Sequence, residues 1–258
     1  MHTETGTTGT AGRGVVVVTG GGRGIGAATA LRLGAAGHAL VLGYERDAAA
    51  ADEVAARVRT AGGAAVTARV DVADEEDVRR LFATAADAGP LTGLVNNAGI
   101  TGPLGPFAET SPAVMRRVVE VDVLGALLCA REAARAMSTR YGGAGGAIVN
   151  VSSGAATLGS PGEYVHYAAA KAALDTLTIG LAKELGPEGV RVNSVQPGLI
   201  STGIHAAMGD PGRPARMAPE IPLRRAGEPD EVAAAIAWLL SDEASYTTGA
   251  VLRVAGGR

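Results

Sequence analysis

Tyr167 and Lys171 stand four residues apart in the alanine-rich stretch "HYAAAKAAL" (166–174), which reads as helix. That spacing brings two side chains onto one helix face about one turn apart. Two readings fit the pair. A packed tyrosine can carry a surface lysine on its flank, or a phenol, with an ordinary pKa of about 10, can have its acidity set by a nearby ammonium. A second chemical feature is "VVVVTGGGRGIG" (15–26), in which Gly20, Gly24 and Gly26 follow an apolar run and lead into a helical pattern. Glycine permits a tight turn and, lacking Cβ, lets backbone approach a pyrophosphate whose charge suits a helix N-terminus. Strand, turn and helix come in the order a dinucleotide-binding loop requires.

The residue that would receive the cofactor's ribose is expected at the end of the second strand, in "LGYERD" (42–47). Tyr44 holds that place, so no carboxylate there repels a 2′-phosphate, although Glu45 is next to it. Arg23 in the glycine loop and Arg46 beyond the strand are cations able to pair with such a phosphate, and surface charge is the plainer account of both. The balance favours NADP(H) over NAD(H).

Bulk composition narrows the field. The 258 residues fit one large domain or two small ones, and a formal net charge of -3 leaves no general basic field for nucleic acid. The single cysteine, Cys129, excludes an internal disulfide and fits a reducing compartment; between leucine and alanine it reads as a core residue. Four histidines (His2, His38, His166, His205) form no ligand-spaced cluster, so no metal is expected. No apolar run approaches a membrane span, and the polar start, "MHTETGTTGTAGR", lacks the apolar core of a signal peptide. It is expected to be a disordered tail over 1–13, and the protein to be cytoplasmic.

The elements that must position these residues alternate. Apolar runs at 15–18, 38–42, 65–70, 93–97, 147–151, 190–195 and 250–254 are separated by alanine-rich helical patterns. Continuous apolar runs indicate strands buried on both faces, as in a parallel sheet. Repeated β-α units with right-handed crossovers give one doubly wound α/β domain over 14–258. Ser111-Pro112 offers an N-cap and a first-turn proline, and Gly186-Pro187 a stop after Leu185. The Gly- and Pro-rich stretch 197–222 reads as an irregular loop after a strand end, a candidate lid over a ligand.

Taken together, "TGGGRGIG" (19–26), "DV" (71–72), "NNAG" (96–99), a serine before "YAAAK" (167–171) and "PG" (197–198) resemble the short-chain dehydrogenase/reductase family, in order and from about Val15 to Gly257. The stretches around 150–178 and 239–257 are similar to its sugar- and ketone-reductase-like branch. The resemblance implies a Rossmann-type sheet of seven parallel strands and a homotetramer (or dimer), with helices around 112–138 and 164–185 between subunits. It implies that Tyr167 is the general acid or base, that Lys171 favours its phenolate and binds the nicotinamide ribose, and that Ser153 holds the substrate oxygen, with Ser152 as fallback. Gly20, Gly24 and Gly26 would then cradle the pyrophosphate, with Arg23 and Ile25 of the same loop also binding the cofactor, and Asp71 and Val72 flank the adenine. Asn97, Ala98 and Gly99 would line the cofactor's centre; Pro197, Gly198 and Ile200 would lie by the nicotinamide, with Thr202 reaching its amide or a phosphate. His166, rotated about 100° from Tyr167 around the helix, is read as structural or subunit-facing.

One position departs from the family pattern. The asparagine expected in the helix before the serine strand, which holds a water behind the lysine, is here Asp122, in "VVEVDVLGALL". An ionised aspartate cannot donate a hydrogen bond, and its charge offsets Lys171 and raises the pKa of Tyr167. It is a tolerated replacement, a tuned site, or the mark of weakened redox chemistry. The expectation is an NADP(H)-dependent oxidoreductase of a small ketone or secondary alcohol; a cofactor-binding protein without turnover is the alternative, and a nucleic-acid module a distant third. "TGPLGPF" (101–107), Leu158, Met208 and Met217 suggest an apolar substrate floor, the methionines fitting gap-filling core equally well, and the two arginines of "GDPGRPAR" (209–216) are able to meet an acidic substrate, with exposed charge the plainer account.

Overall fold

The computed structural model describes residues 13–258, so the tail expected over 1–13 lies, apart from Arg13, outside the described residues. Among them seven strands form one sheet: β1 (Val15–Thr19), β2 (Ala39–Tyr44), β3 (Ala64–Arg69), β4 (Leu91–Asn96), β5 (Gly146–Val151), β6 (Val190–Pro197) and β7 (Val251–Val254). Every pairing is parallel, in the order β3-β2-β1-β4-β5-β6-β7. Helices α1 (Gly24–Ala35), α2 (Ala48–Thr60) and α3 (Glu75–Ala88) connect the first four strands. Between β4 and β5 run α4 (Pro112–Val118) and α5 (Gly125–Met137); α6 (Ala155–Leu158) and α7 (Val165–Leu185) follow β5. After β6 come α8 (Ile204–Ala207), α9 (Arg213–Met217) and α10 (Pro229–Leu240). None of the described helices is long and apolar enough to cross a membrane.

Alternating side chains of a strand face opposite sides of a sheet, and in β1 both sides are core. Val15 and Val17 join Leu94 and Ile148 in one cluster, together with residues of α3, α5 and α7. Val16 and Val18 join Leu42, Val95 and Val149 in the other, with residues of α1, α2 and α10. Each such buried aliphatic side chain stabilises the fold by roughly 1.5–3 kcal/mol. The expectation of burial on both faces fails at the two edges: Val66 of β3 and Val251 of β7 are exposed. An edge strand has a neighbour on one side only, and the helices do not cover it fully.

Strand order reverses between β1 and β4, so the connections leave the C-terminal ends of these strands in opposite directions and open a crevice there. Two local features shape it. Ser111 Oγ accepts from the N–H of Val114 at 3.3 Å and starts α4 with Pro112 in its first turn. Instead of ending, the helix then widens into a π-helical turn, Val119–Leu124, and continues as α5. The stretch 197–222 is not the irregular loop expected: α8 and α9 fold within it, and Ile200 bridges to Gly227.

Candidate active site

A cavity of about 1100 Å³ occupies the crevice at the strand ends. Gly20, Arg23, Gly24 and Ile25 line it from the β1–α1 turn, Tyr44 and Arg46 from the end of β2, and Asp71 and Val72 from beyond β3. Asn97, Ala98 and Gly99 line it after β4, Ser153 after β5, Tyr167 and Lys171 from α7, and Pro197, Gly198, Ile200 and Thr202 from β6 onward. Of the catalytic and cofactor-binding residues expected from sequence, Gly26 and Asp122 do not line it.

Gly26 acts from behind. A Cβ there would lie 2.2 Å from the carbonyl oxygen of Gly20 and 2.7 Å from Nδ2 of Asn97. Gly20 (φ 65°) and Gly24 (φ 54°) adopt the left-handed conformation that glycine accepts without strain. Asn97 ties this turn to β4: its Nδ2 donates to the carbonyls of Thr19 (2.9 Å) and Gly20 (3.2 Å). The glycine loop is thus a preformed cradle with bare backbone toward the cavity, as a pyrophosphate requires.

Tyr167 and Lys171 are both buried on α7, with the lysine Nζ 5.6 Å from the centre of the tyrosine ring. Lys171 Nζ donates to the carbonyl of Val151 at 3.0 Å. The two serines at the end of β5 part company. Ser152 Oγ donates to the carbonyl of Lys171 at 2.9 Å and so secures α7 against the sheet, whereas Ser153 is at the cavity wall, its Oγ accepting from the N–H of Ala155 at 3.1 Å.

Asp122 lies in the π-helical turn behind this pair and is 1% exposed. Its Oδ1 accepts from the N–H of Ile100 at 2.8 Å; its Oδ2 is 3.4 Å from Lys171 Nζ, within ion-pair range but without a hydrogen-bond partner. Gly99 covers both, since a Cβ there would sit 3.0 Å from each. Burial pushes the Asp122 carboxyl up, with Lys171 opposing. Burial also pushes the Tyr167 phenol up, Asp122 adds to that rise, and the Ser153 hydroxyl opposes it. The ammonium that was to favour the phenolate is therefore matched by a carboxylate.

Sequence reasoning missed Arg117. From α4 its Nη2 donates to Asp71 Oδ2 at 2.8 Å and to Glu45 Oε1 at 3.2 Å, so it gathers both carboxylates at the far end of the cavity. Only the fold joins positions that far apart in the chain. Reading Arg213 as exposed was also mistaken: it is 3% exposed, its guanidinium donates to both carboxylate oxygens of Glu163 at 2.6 Å, and it covers the Tyr164 ring at 5.6 Å. Arg216 does lie on the surface, paired with Asp210. Leu158 and Met208 line the cavity, but Met217 does not. His166 is buried with Nε2 2.9 Å from the carbonyl of Thr101, an internal contact, and burial pushes the Cys129 thiol up to about 12.

A doubly wound parallel sheet with a glycine cradle and a tyrosine–lysine pair at one cavity defines a class, and comparison with known proteins gives the same class. Residues 20–258 match a family model described as enoyl-(acyl carrier protein) reductase. The chain is 49% identical to YgfF, an uncharacterized oxidoreductase of Escherichia coli K12, over 95% of this chain and 99% of that one. It is 45% identical to the cis-4-hydroxycyclohexanecarboxylate dehydrogenase of Sinomonas cyclohexanicum, over 94% and 95%. A crystal structure of a short chain dehydrogenase from Burkholderia cenocepacia J2315 in complex with NADP superposes with a TM-score of 0.86 at 34% identity, covering 94% of this chain and 96% of that one. The chain belongs to the short-chain dehydrogenase/reductase family and is an oxidoreductase of that type.

Proposed function

We propose that the cavity binds NADP(H) in preference to NAD(H) and that the protein transfers a hydride between it and a small ketone or secondary alcohol. The observation that carries this reading is the convergence of Ser153, Tyr167 and Lys171 on the cavity that also holds the glycine cradle. The cofactor supplies the hydride for reduction or receives it in oxidation. Gly20, Gly24 and Ile25 hold its pyrophosphate, with Gly26 keeping the turn closed behind them; Asp71 and Val72 hold the adenine end. Asn97, Ala98 and Gly99 wall its centre, and Pro197, Gly198, Ile200 and Thr202 its nicotinamide end. Tyr44, Arg23 and Arg46 receive the 2′-phosphate. The engagement of Glu45 by Arg117 and Arg46 supports this choice, because it neutralises the nearest carboxylate. The solved relative that contains NADP supports it too.

Ser153 donates to the substrate oxygen and holds it beside the Tyr167 hydroxyl. Tyr167 gives its proton to that oxygen as the carbonyl is reduced, or takes the proton from an alcohol. Burial and Asp122 keep the phenol protonated, which loads it for the reductive direction. Lys171 binds the nicotinamide ribose and shares its charge with Asp122, which acts through the lysine. The segment 197–222 closes over the substrate as a lid, with Leu158 and Met208 as apolar wall. The address is cytoplasmic, in keeping with one buried thiol, and the assembly is a homotetramer or dimer, supported by exposed Val119, Leu124 and Leu127 on the helix of 112–137. The opposed charge at Asp122 supports a second reading, a cofactor-binding protein whose redox chemistry is damped.

NADPH consumption across a panel of ketones, sugars and quinones tests the proposal, with wild type, Tyr167→Phe and Asp122→Asn run in parallel. Turnover by wild type and its loss in Tyr167→Phe is the expected result. Silence in wild type with activity gained in Asp122→Asn would establish the damped reading. Silence in all three with NADPH still bound would overturn the redox assignment.

A further inference from the structure

The segment 204–217 contains two helices of 4 and 5 residues, α8 and α9, too short to hold their shape unaided. Contacts with two neighbouring loops fix it. Arg213, 3% exposed, donates to both carboxylate oxygens of Glu163 at 2.6 Å, and the N–H of Leu104 donates to the carbonyl of Met208 at 3.4 Å. The backbone before Glu163 is itself under constraint: Gly159 (φ 72°), Ser160 (φ 47°) and Gly162 (φ 73°) are left-handed, a conformation that strains the serine. The N–H of Gly105 holds this loop from the other side, donating to the Glu163 carbonyl at 2.9 Å. Next in the chain is Tyr164. Arg213 Nη2 lies 3.4 Å from its hydroxyl, and the guanidinium carbon 5.6 Å from its ring centre. The Tyr164 ring packs edge to face with that of Tyr167, with centroids 5.3 Å apart and planes at 88°. Glu163, Tyr164, Tyr167 and Arg213 all line the cavity. A continuous column therefore runs from the Arg213–Glu163 pair through Tyr164 to Tyr167.

We propose that Tyr164 is a positioning residue for Tyr167 and that the Arg213–Glu163 pair is a latch joining it to the lid, so that the lid and the phenol are seated together. This rests on the readings of Tyr167 as the proton donor and of 197–222 as a lid. The pair suits a latch better than a device for stability. A buried ion pair adds little over apolar side chains of the same volume, although losing one partner strands the other charge. Its two parallel hydrogen bonds fix the direction of the guanidinium as well as its distance. Because Glu163 and Tyr164 are consecutive, the contact that fixes one also places Arg213 over the ring of the other. Aromatic pairs favour particular geometries over free rotation, so the edge-to-face contact passes that orientation on to Tyr167. Proton transfer requires the phenol within about 2.6–3.2 Å of the reacting oxygen. A misplacement of about 1 Å is enough to cost roughly a hundredfold in rate.

The test uses Tyr164→Leu, Tyr164→Phe and the paired replacement of Glu163→Met with Arg213→Met, which removes the latch without stranding a charge. The reaction is reduction by NADPH of cyclohexanone or of the fastest ketone in the panel above. Tyr164→Leu and the paired replacement should each lower kcat about tenfold and leave the KM for NADPH within about twofold of wild type. Tyr164→Phe, which keeps the ring, should recover most of the rate. Tyr164→Leu combined with the paired replacement should still lose only about tenfold, because each change unseats the same column. A combined loss of about a hundredfold would mean two independent effects and overturn the proposal. Effects confined to KM, or a Tyr164→Phe as slow as Tyr164→Leu, would overturn it too. Hydrogen exchange of the backbone amides of 204–217, measured on the enzyme–NADPH complex, gives a readout without turnover. Exchange there should quicken about tenfold in Tyr164→Leu as well as in the paired replacement. A segment that exchanges in Tyr164→Leu as it does in wild type would overturn the coupling. If wild type reduces no ketone, the redox reading falls by itself, and the exchange comparison still decides whether lid and ring are joined.

Discussion

Replacing Asp122 by asparagine removes one charge and keeps the shape of the side chain, including the acceptor for the N–H of Ile100. Asp122 Oδ2 is 3.4 Å from Lys171 Nζ, which is itself 5.6 Å from the centre of the Tyr167 ring, so the carboxylate lies no farther than about 9 Å from that ring. At an effective dielectric of about 20, a unit charge at that limit opposes the phenolate by about 1.8 kcal/mol, which corresponds to slightly more than one pH unit. Burial remains in the variant and keeps the phenol above its ordinary range, so only the charge-dependent part is relieved. The assay is kcat/KM for oxidation of a secondary alcohol by NADP+, measured across pH for both proteins. The limb belonging to Tyr167 should move about one pH unit to the acid side, and below its midpoint the variant should oxidise about tenfold faster at equal pH. Reduction should change less, because the protonated phenol is already the populated form. Coincident profiles would refute the reasoning by showing that Asp122 carries no charge in the working enzyme, and an alkaline displacement would refute its sign. A second readout needs no turnover. Burial holds the Asp122 carboxyl above its ordinary 3.8, so the folded protein binds that proton more tightly than the unfolded chain. The stability this confers is present below about pH 3.8 and lost as the pH rises through the folded value, by at most about 1.4 kcal/mol per pH unit. The melting temperature of wild type relative to Asp122→Asn should therefore fall as the pH rises.

Arg117→Met should free Glu45 and Asp71 and raise the KM for NADPH about tenfold while changing that for NADH much less; an equal effect on both would remove Arg117 from phosphate discrimination. Gly26→Ala forces a methyl to 2.2 Å from the Gly20 carbonyl, an overpacking cost of about 1–3 kcal/mol. It should abolish detectable NADPH binding by fluorescence titration and lower the melting temperature by several degrees. Leu127→Glu places a charge beside exposed Val119 and Leu124, on the face proposed for assembly, and should convert the proposed oligomer to smaller species in light scattering; a wild type that is already monomeric would refute the interface.

Sequence legibility followed the range of the interactions involved. The seven strands were readable because a strand covered on both faces must be apolar throughout, and the valines of β1 satisfy that locally. The same pattern misled at β3 and β7, because being at the edge of a sheet is a property of the topology and leaves no mark in a short run such as "AVLRV". The glycine loop and the Tyr167–Lys171 pair were readable because each is a short-range pattern, of turn and of helix face. Of the stretch 197–222 only the abundance of Gly and Pro was visible; α8 and α9 form there because their side chains find buried partners, Arg213 on Glu163 and His205 on Ile200.

Charge balance was legible at one place only: the resemblance set Asp122 against Lys171, and the sequence concealed how the fold places that carboxylate and the other pairings. Lys171 alone argues for an acidic Tyr167, and nothing within its own helix contradicts this. The contradicting carboxylate arrives from the π-helical turn, where the extra residue in the helical repeat sets Asp122 behind the lysine and under Gly99. The same holds at both ends of the cavity: Arg117 gathers Asp71 and Glu45, and Arg213 is spent on Glu163. Three cations that a linear reading would offer to ligands are thus already matched by carboxylates. A cation so matched contributes orientation and hydrogen bonds more than net field, since a bound anion must compete with a carboxylate held in place by the fold. The groups left over are therefore the informative ones. At the cofactor end they are Arg23 and the part of Arg46 not engaged by Glu45, which suits one additional phosphate. The specificity argued for this chain rests on what its ion pairs leave free.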